Sequence, residues 1–272
     1  MAVVWVTACT RAEAPSSPAS DDPTRIVSLD YCADQFVLKF ADRDQILAIS
    51  PDANKYFSYM RDHANGVPTV RAIAEDVLIL KPDLVVRSYG GGSNATAFFE
   101  RAGIPVLQVG WASTIDGDTP GAIPHIIQSM ADGLGQTEKG QAVIRDYRAR
   151  LSDLQSTASH KQTLYMARSG VSTGEGTLVH EMMIAAGLQN YAERSGWHDL
   201  PLEKLALKRP EMVAATFFEG PGDASYRWSA SRHPIAQREL EGANLVPLEG
   251  AWTSCGGWYI LEAIEALSLG AK

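Results

Sequence analysis

The sequence predicts an α/β protein of two lobes joined by a helical segment. Three observations carry that reading. Short apolar strands alternate with helices over residues 25–110, the alternation stops over residues 120–155, and it resumes from residue 162 to the end. One phrase also occurs in each half: "AEDVLILKPDLVV" (residues 74–86) and "LEKLALKRPEMVA" (residues 202–214). Aligned on the prolines, Glu75 matches Glu203, Val77 matches Leu205, Lys81 matches Arg209, Pro82 matches Pro210 and Asp83 matches Glu211.

Each element has a local reason. "RIVSLD" is a β-branched apolar run, and "ADQFVLKFAD" places Phe36, Val37 and Phe40 on one helical face. "QILAIS", "DLVVRS" and "IPVLQVG" read as further strands, with "GGGSN" as a loop and "ATAFFERAG" as a helix closed by Gly103. Buried parallel strands have this near-continuous apolar character. In "AIPHIIQSMADGLG" and "GQAVIRDYRARLSDLQ", Ile123, Ile126, Ile127 and Met130, then Val143, Ile144, Tyr147 and Leu151, recur at helical spacing. Residues 133–135 either separate two helices or bend one. "QTLYMARS" then opens the second series as a strand, followed by the loop "GVSTGEG" and the helix "TLVHEMMIAAG". "EMVAATFF" and "NLVPLE" are strands, "RHPIAQRELEG" a helix, and "GGWYILEAIEALSL" a final helix. In both copies of the phrase a helix meets a proline, which stops it and forces extended backbone into the next strand.

The chain has 272 residues, 45% hydrophobic and 21% charged, with a net charge of −8. That is ordinary globular composition. No basic run appears, which argues against nucleic-acid binding. No stretch reaches the roughly 18–20 apolar residues of a membrane span. Residues 1–24 read as a leader and tether. "MAVVWVTAC" ends in Val6-Thr7-Ala8-Cys9, a lipobox-like run that makes Cys9 the candidate lipidation site, although a positive n-region is missing. The Pro/Ser/Ala/Asp-rich segment after it cannot bury a core. The boundaries expected are 25–118 for the first lobe, 119–158 for the helical connector and 159–272 for the second lobe.

Helix–proline–strand punctuation is common, but it does not explain a glutamate seven residues before each proline. With "RIVSLDYCADQFVLKFADRDQILAIS", "GEGTLVHEMMIAAGLQN" and the two phrases in this order and spacing, the chain resembles the substrate-binding proteins of ABC importers for iron chelates and vitamin B12. The likeness covers residues 25–269 and does not specify the ligand. It implies two Rossmann-like α/β lobes, a ligand cleft between them, one long connecting helix that permits only small closure, and no enzymatic activity or cofactor. It also implies an exported, periplasmic monomer that delivers a metal chelate to a permease dimer. In the family one glutamate per lobe docks onto permease arginines, and Glu75 and Glu203 hold those positions. A carboxylate–guanidinium pair suits that task through its directional, charge-assisted hydrogen bonds.

Ligands of open α/β sheets meet the loops at the C-terminal strand ends. There the sequence offers Tyr31, Tyr89, Trp111, Tyr226, Trp228, Trp252 and Trp258, whose faces suit a large, flat, partly apolar molecule. Arg87, Arg168 and Arg227 sit at the same ends, where a guanidinium can meet an anionic group. Cys32 and Cys255 both fall at loop-to-helix junctions of the expected cleft. They are read either as a disulfide, which needs Cα atoms within about 7 Å, or as reduced thiols lining the site. The binding candidates are therefore Tyr31, Cys32, Arg87, Tyr89, Trp111, Arg168, Arg227, Trp228 and Trp252.

No catalytic or metal set stands out. "HEMMI" starts like a zinc-protease helix, but Ile184 replaces the second histidine, so His180 reads as a helix-face residue. No nucleophile elbow, P-loop or dinucleotide fingerprint occurs. Three readings stay open: a ferric-siderophore binder, ranked first; a cobalamin or haem binder; and a two-domain α/β enzyme.

Overall fold

The computed structural model describes residues 23–155, 159–167, 169–217, 229–242 and 244–272. The first sheet comprises β1 (Ile26–Ser28), β2 (Ile46–Ala48), β3 (Leu84–Arg87) and β4 (Val106–Gln108), all parallel in the order β2-β1-β3-β4. Its helices are α1 (Tyr31–Phe40), α2 (Ala74–Ile79) and α3 (Ala95–Arg101). In the central strand, Ile26 faces one apolar cluster with Leu84 and Val86, while Val27 faces another with Val85, Val77 and Phe99. The two-residue period sends neighbours to opposite faces, and both faces are covered, which is why the strand reads as unbroken apolar sequence.

Between the sheets the chain forms α4 (Ile123–Gly133) and α5 (Thr137–Gln155). The one long connecting helix that the resemblance implies is corrected to two separate helices: the chain turns at Gly135, whose φ of 70° suits glycine. Gly140 lets α5 press onto α4, since an added Cβ there would lie 2.5 Å from the Cβ of Ala131.

The second sheet has β5 (Gln162–Ala167), β7 (Gln189–Asn190), β9 (Met212–Phe217) and β10 (Leu245–Glu249), parallel in the order β10-β9-β5-β7. Around it lie α6 (Leu178–Ala185), α7 (Leu202–Leu207), α8 (Pro234–Leu240), α9 (Gly250–Thr253) and α10 (Ile260–Gly270). Two local expectations are corrected. "GVSTGEG" is not all loop: β6 (Val171–Thr173) pairs antiparallel with β8 (Trp197–Asp199) in a small separate sheet. Strands of three residues are too short to leave a period in sequence. The last helix begins at Ile260 rather than at Gly256, because residues 257–259 form a turn closed by the Ile260 N–H donating to Gly257 O, 3.1 Å.

The repeated phrase has the same mechanical role in each half. The Asp83 carboxylate accepts from the N–H groups of Thr24 (3.1 Å) and Arg25 (3.0 Å), at the start of β1. The Glu211 carboxylate accepts from the N–H of Gln162, 2.8 Å, at the start of β5. The acid after each proline thus fixes where the neighbouring strand begins.

One continuous apolar cluster joins the two halves. It runs from Phe36, Val37 and Phe40 of α1 through Ile123, Ile127 and Met130 of α4 and Tyr147 of α5 to Met182 and Met183 of α6 and Ile264 of α10. Among the described residues, no helix is long and apolar enough to cross a membrane.

Candidate ligand cleft

A cavity of about 550 Å³ lies between the two sheets. The first half supplies Tyr31 and Cys32 at the start of α1, Ser88 and Tyr89 after β3, and the stretch 109–113 after β4. The second half supplies residues 176–179 at the start of α6, Trp197 with Gly196 at the start of β8, and residues 253–256 after α9. Size and position suit a small-molecule site at strand ends.

Asp30 organises the first wall. It caps α1 by accepting from the Ala33 N–H, 3.0 Å. Its other carboxylate oxygen accepts from the N–H groups of Ser88 (2.7 Å), Tyr89 (3.0 Å) and Gly90 (2.8 Å). One buried carboxylate therefore holds two cleft loops together and sets Tyr31 against Tyr89, with ring centroids 6.0 Å apart and edge-on. Burial pushes both phenols above the ordinary tyrosine range, Tyr89 furthest, so both stay protonated at neutral pH.

On the other wall, Thr177 caps α6 by accepting from the His180 N–H, 3.3 Å, and its hydroxyl also meets Thr173 Oγ1 at 2.7 Å. Trp197 reaches the cleft because β8 pairs with β6, and its ring packs edge-on against Tyr165, 6.0 Å away. Among the described residues lining the cavity, none carries a formal charge: their polar groups are hydroxyls, the indole N–H groups of Trp111 and Trp197, backbone and a disulfide.

The floor is covalent. Cys32 and Cys255 are joined by a disulfide with Cα atoms 5.5 Å apart and a sequence separation of 223. Beside it Tyr59 stacks on Tyr259 at 4.7 Å, the Ser254 hydroxyl donates to Phe57 O at 3.2 Å, and Arg61 approaches Glu249 at 3.7 Å. These contacts sew the first half to the second along one side of the cleft.

The expected site residues separate cleanly. Tyr31, Cys32, Tyr89 and Trp111 line the cavity, and Trp111 is 84% exposed. Arg87 does not line it. The side chain is buried and donates to Gly90 O (2.8 Å), Gly92 O (2.9 Å) and Thr96 Oγ1 (2.7 Å), so its charge shapes the glycine loop instead of facing a ligand. Trp252 is half-buried against the main apolar cluster and is not in the lining. Trp258 packs against Phe36 and Phe40, closing the seam between α1 and the turn before α10. Arg168, Tyr226, Arg227, Trp228 and Cys9 lie outside the described residues. Sequence reasoning missed Asp30, Thr177 and Trp197. An aspartate just before a helix-starting tyrosine, and a threonine after "GEG", were cap signals that pointed to the first two. Trp197 left no signal, since only the β6–β8 pairing carries it to the cleft.

Glu75 and Glu203 stand in the first turns of α2 and α7, both exposed. Neither forms an ion pair with a described residue: neighbouring Arg71 is held by Asp76 at 2.7 Å and Lys204 by Glu193 at 2.6 Å. Among the described residues there is no cluster of three or more acidic, histidine or cysteine side chains placed to hold a metal.

Two parallel sheets with a cavity at their strand ends form the kind of concavity that takes a small molecule. The sequence agrees: a family model described as "Periplasmic binding protein" matches residues 26–229, and the chain belongs to that family. That family is one of binding proteins and not of enzymes. Over 205 residues the chain is 25% identical to a protein named "Cobalamin-binding protein" from Halobacterium salinarum, covering 71% of this chain and 53% of that one. The chain thus spans about half the length of the curated relatives it matches. Among solved structures, the periplasmic vitamin B12 binding protein BtuF of Vibrio cholerae superimposes with a TM-score of 0.65 at 19% identity, over 92% of this chain and 96% of that one. The periplasmic heme-binding protein RhuT from Roseiflexus sp. RS-1 gives 0.69 at 19% identity, over 91% and 99%. A periplasmic binding protein from Veillonella parvula gives 0.71 at 11% identity, over 93% and 92%. Likeness at these identities speaks for the fold.

Proposed function

We propose that this chain works outside the cytoplasmic membrane, captures a corrinoid in the cleft and delivers it to an ABC permease. The observation that carries the ligand class is the lining: aromatic faces and neutral hydroxyls, with no charged side chain among the described residues. A corrinoid presents a flat apolar ring fringed by neutral amides, which such a wall can stack against and hydrogen-bond. Haem carries carboxylates, and many ferric siderophores carry net charge. Burying either against the described part of the wall leaves a charge without a partner there. The described part of the lining therefore favours a corrinoid over the siderophore ranked first from sequence. The cobalamin-binding relative supports the same reading.

The test is a titration of intrinsic tryptophan fluorescence with cyanocobalamin, haemin and ferric hydroxamate and catecholate chelates, corrected for absorption. Saturable quenching by cyanocobalamin at micromolar or lower concentration is expected, reported by Trp111 and Trp197. Saturation by haemin or a ferric chelate alone would move the ligand class, and no response to any would overturn the reading.

Glu75 and Glu203 are the permease handles in this proposal. Charge reversal at both, Glu75→Lys with Glu203→Lys, should stop cobalamin uptake in cells and leave cyanocobalamin affinity unchanged. Loss of affinity instead would refute the docking role. A lipid at Cys9 would tether the protein to the membrane. Palmitate labelling of the full-length protein should then vanish in Cys9→Ser.

A further inference from the structure

Two of the most exposed apolar side chains among the described residues occupy the same place in the two halves. Ile79 is 77% exposed and Leu207 is 91% exposed. Each is the last residue of its short helix, α2 or α7, and each stands four residues after its glutamate and three before its proline. A single exposed aliphatic residue on a protein surface needs no explanation. The same exposure at the same repeat position, beside the same glutamate, does.

The fold does not require either one. The residue that each helix turns inward is Val77 or Leu205, both fully buried, two positions earlier and on the far side of the helix. Ile79 belongs to none of the buried apolar clusters, although its neighbours Leu78 and Leu80 do pack on one. Leu207 is likewise absent from the cluster that takes in Leu202 and Leu205. Residues four apart share a helical face, so Ile79 lies beside Glu75, and Leu207 beside Glu203. The nearby cations Arg71 and Lys204 are already paired with Asp76 and Glu193, which leaves both glutamates available to an outside partner.

We infer that each handle is bipartite: a carboxylate with an aliphatic knob one helical turn away, shown twice by one rigid body. This rests on the proposed permease docking of Glu75 and Glu203. The partner it fits is a membrane protein with two equivalent sockets, each an apolar depression rimmed by a cation. The permease, with one socket per half, is that partner. The knob adds desolvated contact that shields the ion pair from water and salt, where an exposed ion pair alone is weak. Two modest contacts on one body also multiply their affinities and fix the orientation of the cleft over the membrane.

The test uses the chain carrying Cys9→Ser, so that no lipid tethers it, and inner-membrane vesicles from its native host. Ile79→Ser and Leu207→Ser, both at exposed positions, should each weaken co-sedimentation with the vesicles by roughly tenfold, with a larger loss for the pair. Cyanocobalamin affinity should not change in either variant. A photo-crosslinking benzoylphenylalanine placed at position 79 or 207 should capture an integral membrane protein from both sites. Wild-type vesicle binding by the double variant, while Glu75→Lys with Glu203→Lys fails to bind, would sink the apolar contact and leave the glutamate docking standing. Adducts with a second copy of this chain would replace the membrane partner with self-association and overturn the inference. Vesicle binding that survives in both sets of variants would remove the docking reading itself.

Discussion

Asp30 and Asp34 lie one helical turn apart and do different work. Asp30 spends its carboxylate on four N–H groups, one at the start of α1 and three in the loop after β3. Asp30→Ala removes a helix cap worth about 1 kcal/mol and leaves buried N–H donors that cost about 1–3 kcal/mol each when unpaired. The expected result is a lower melting temperature together with weaker cyanocobalamin binding, because Tyr31 and Tyr89 lose their common anchor. Asp34 is buried and bonded to Ser50, and burial raises its carboxyl to about 6 from 3.8. A folded-state pKa above the unfolded one means that its stabilising contribution is present below about pH 4 and is lost as pH rises through 6. The swing is on the order of 3 kcal/mol. Wild type should therefore gain stability relative to Asp34→Asn as pH falls from 7 to 4, measured by chemical denaturation at each pH. A gap that stays constant over that range would contradict this account.

At the scale of elements, the repeated phrase joins an inward-facing structural part to an outward-facing one. Val77 and Leu205 anchor the helices, the prolines end them, and Asp83 and Glu211 pin the next strand. The glutamates and Ile79 with Leu207 take no part in that structure. The two acids do not pin equally: the Asp83 carboxylate accepts from Thr24 N, Thr24 Oγ1 and Arg25 N, while Glu211 accepts from Gln162 N. Asp83→Ala should lower the melting temperature more than Glu211→Ala, and a reversed order in calorimetry would contradict the pinning role. The phrase, the strand runs and the helical character of residues 120–155 were legible because each is written in local spacing, whereas the break of that segment into two helices at Gly135 was left open. The β6–β8 pair was not, since its six residues have no period of their own.

At the scale of the molecule, the two lobes are less independent than an alternating pattern with a connector suggests. The apolar core passes from α1 through α4 and α5 into α6 and α10, and the Cys32–Cys255 disulfide with the Tyr59–Tyr259 stack closes one side of the cleft. Opening the lobes widely would tear apolar packing as well as a covalent link, so ligand entry is expected with small movements. A crosslink over a long separation restricts the unfolded chain strongly and is typically worth about 2–4 kcal/mol. The pair Cys32→Ser with Cys255→Ser should lose stability of that order, and solution scattering should show a wider spread of cleft openings than in the oxidised protein. Equal melting temperatures for the oxidised and serine forms would show that the seam holds without the bond.

The sequence by itself determined the α/β class, the two series of strands, the connector, the paired glutamates and half of the cleft wall. Each of these follows from residues close together in the chain: period, caps, prolines and strand-end loops. Tertiary structure alone decided that Arg87 turns inward to its own glycine loop, that Trp252 packs into the core, that Trp197 reaches the cleft and that Cys32 meets Cys255. Those outcomes depend on which distant segments pack together. Side-chain direction at a loop is set by the partner it finds, such as the carbonyls of Gly90 and Gly92 for Arg87, and no spacing along the chain records that partner.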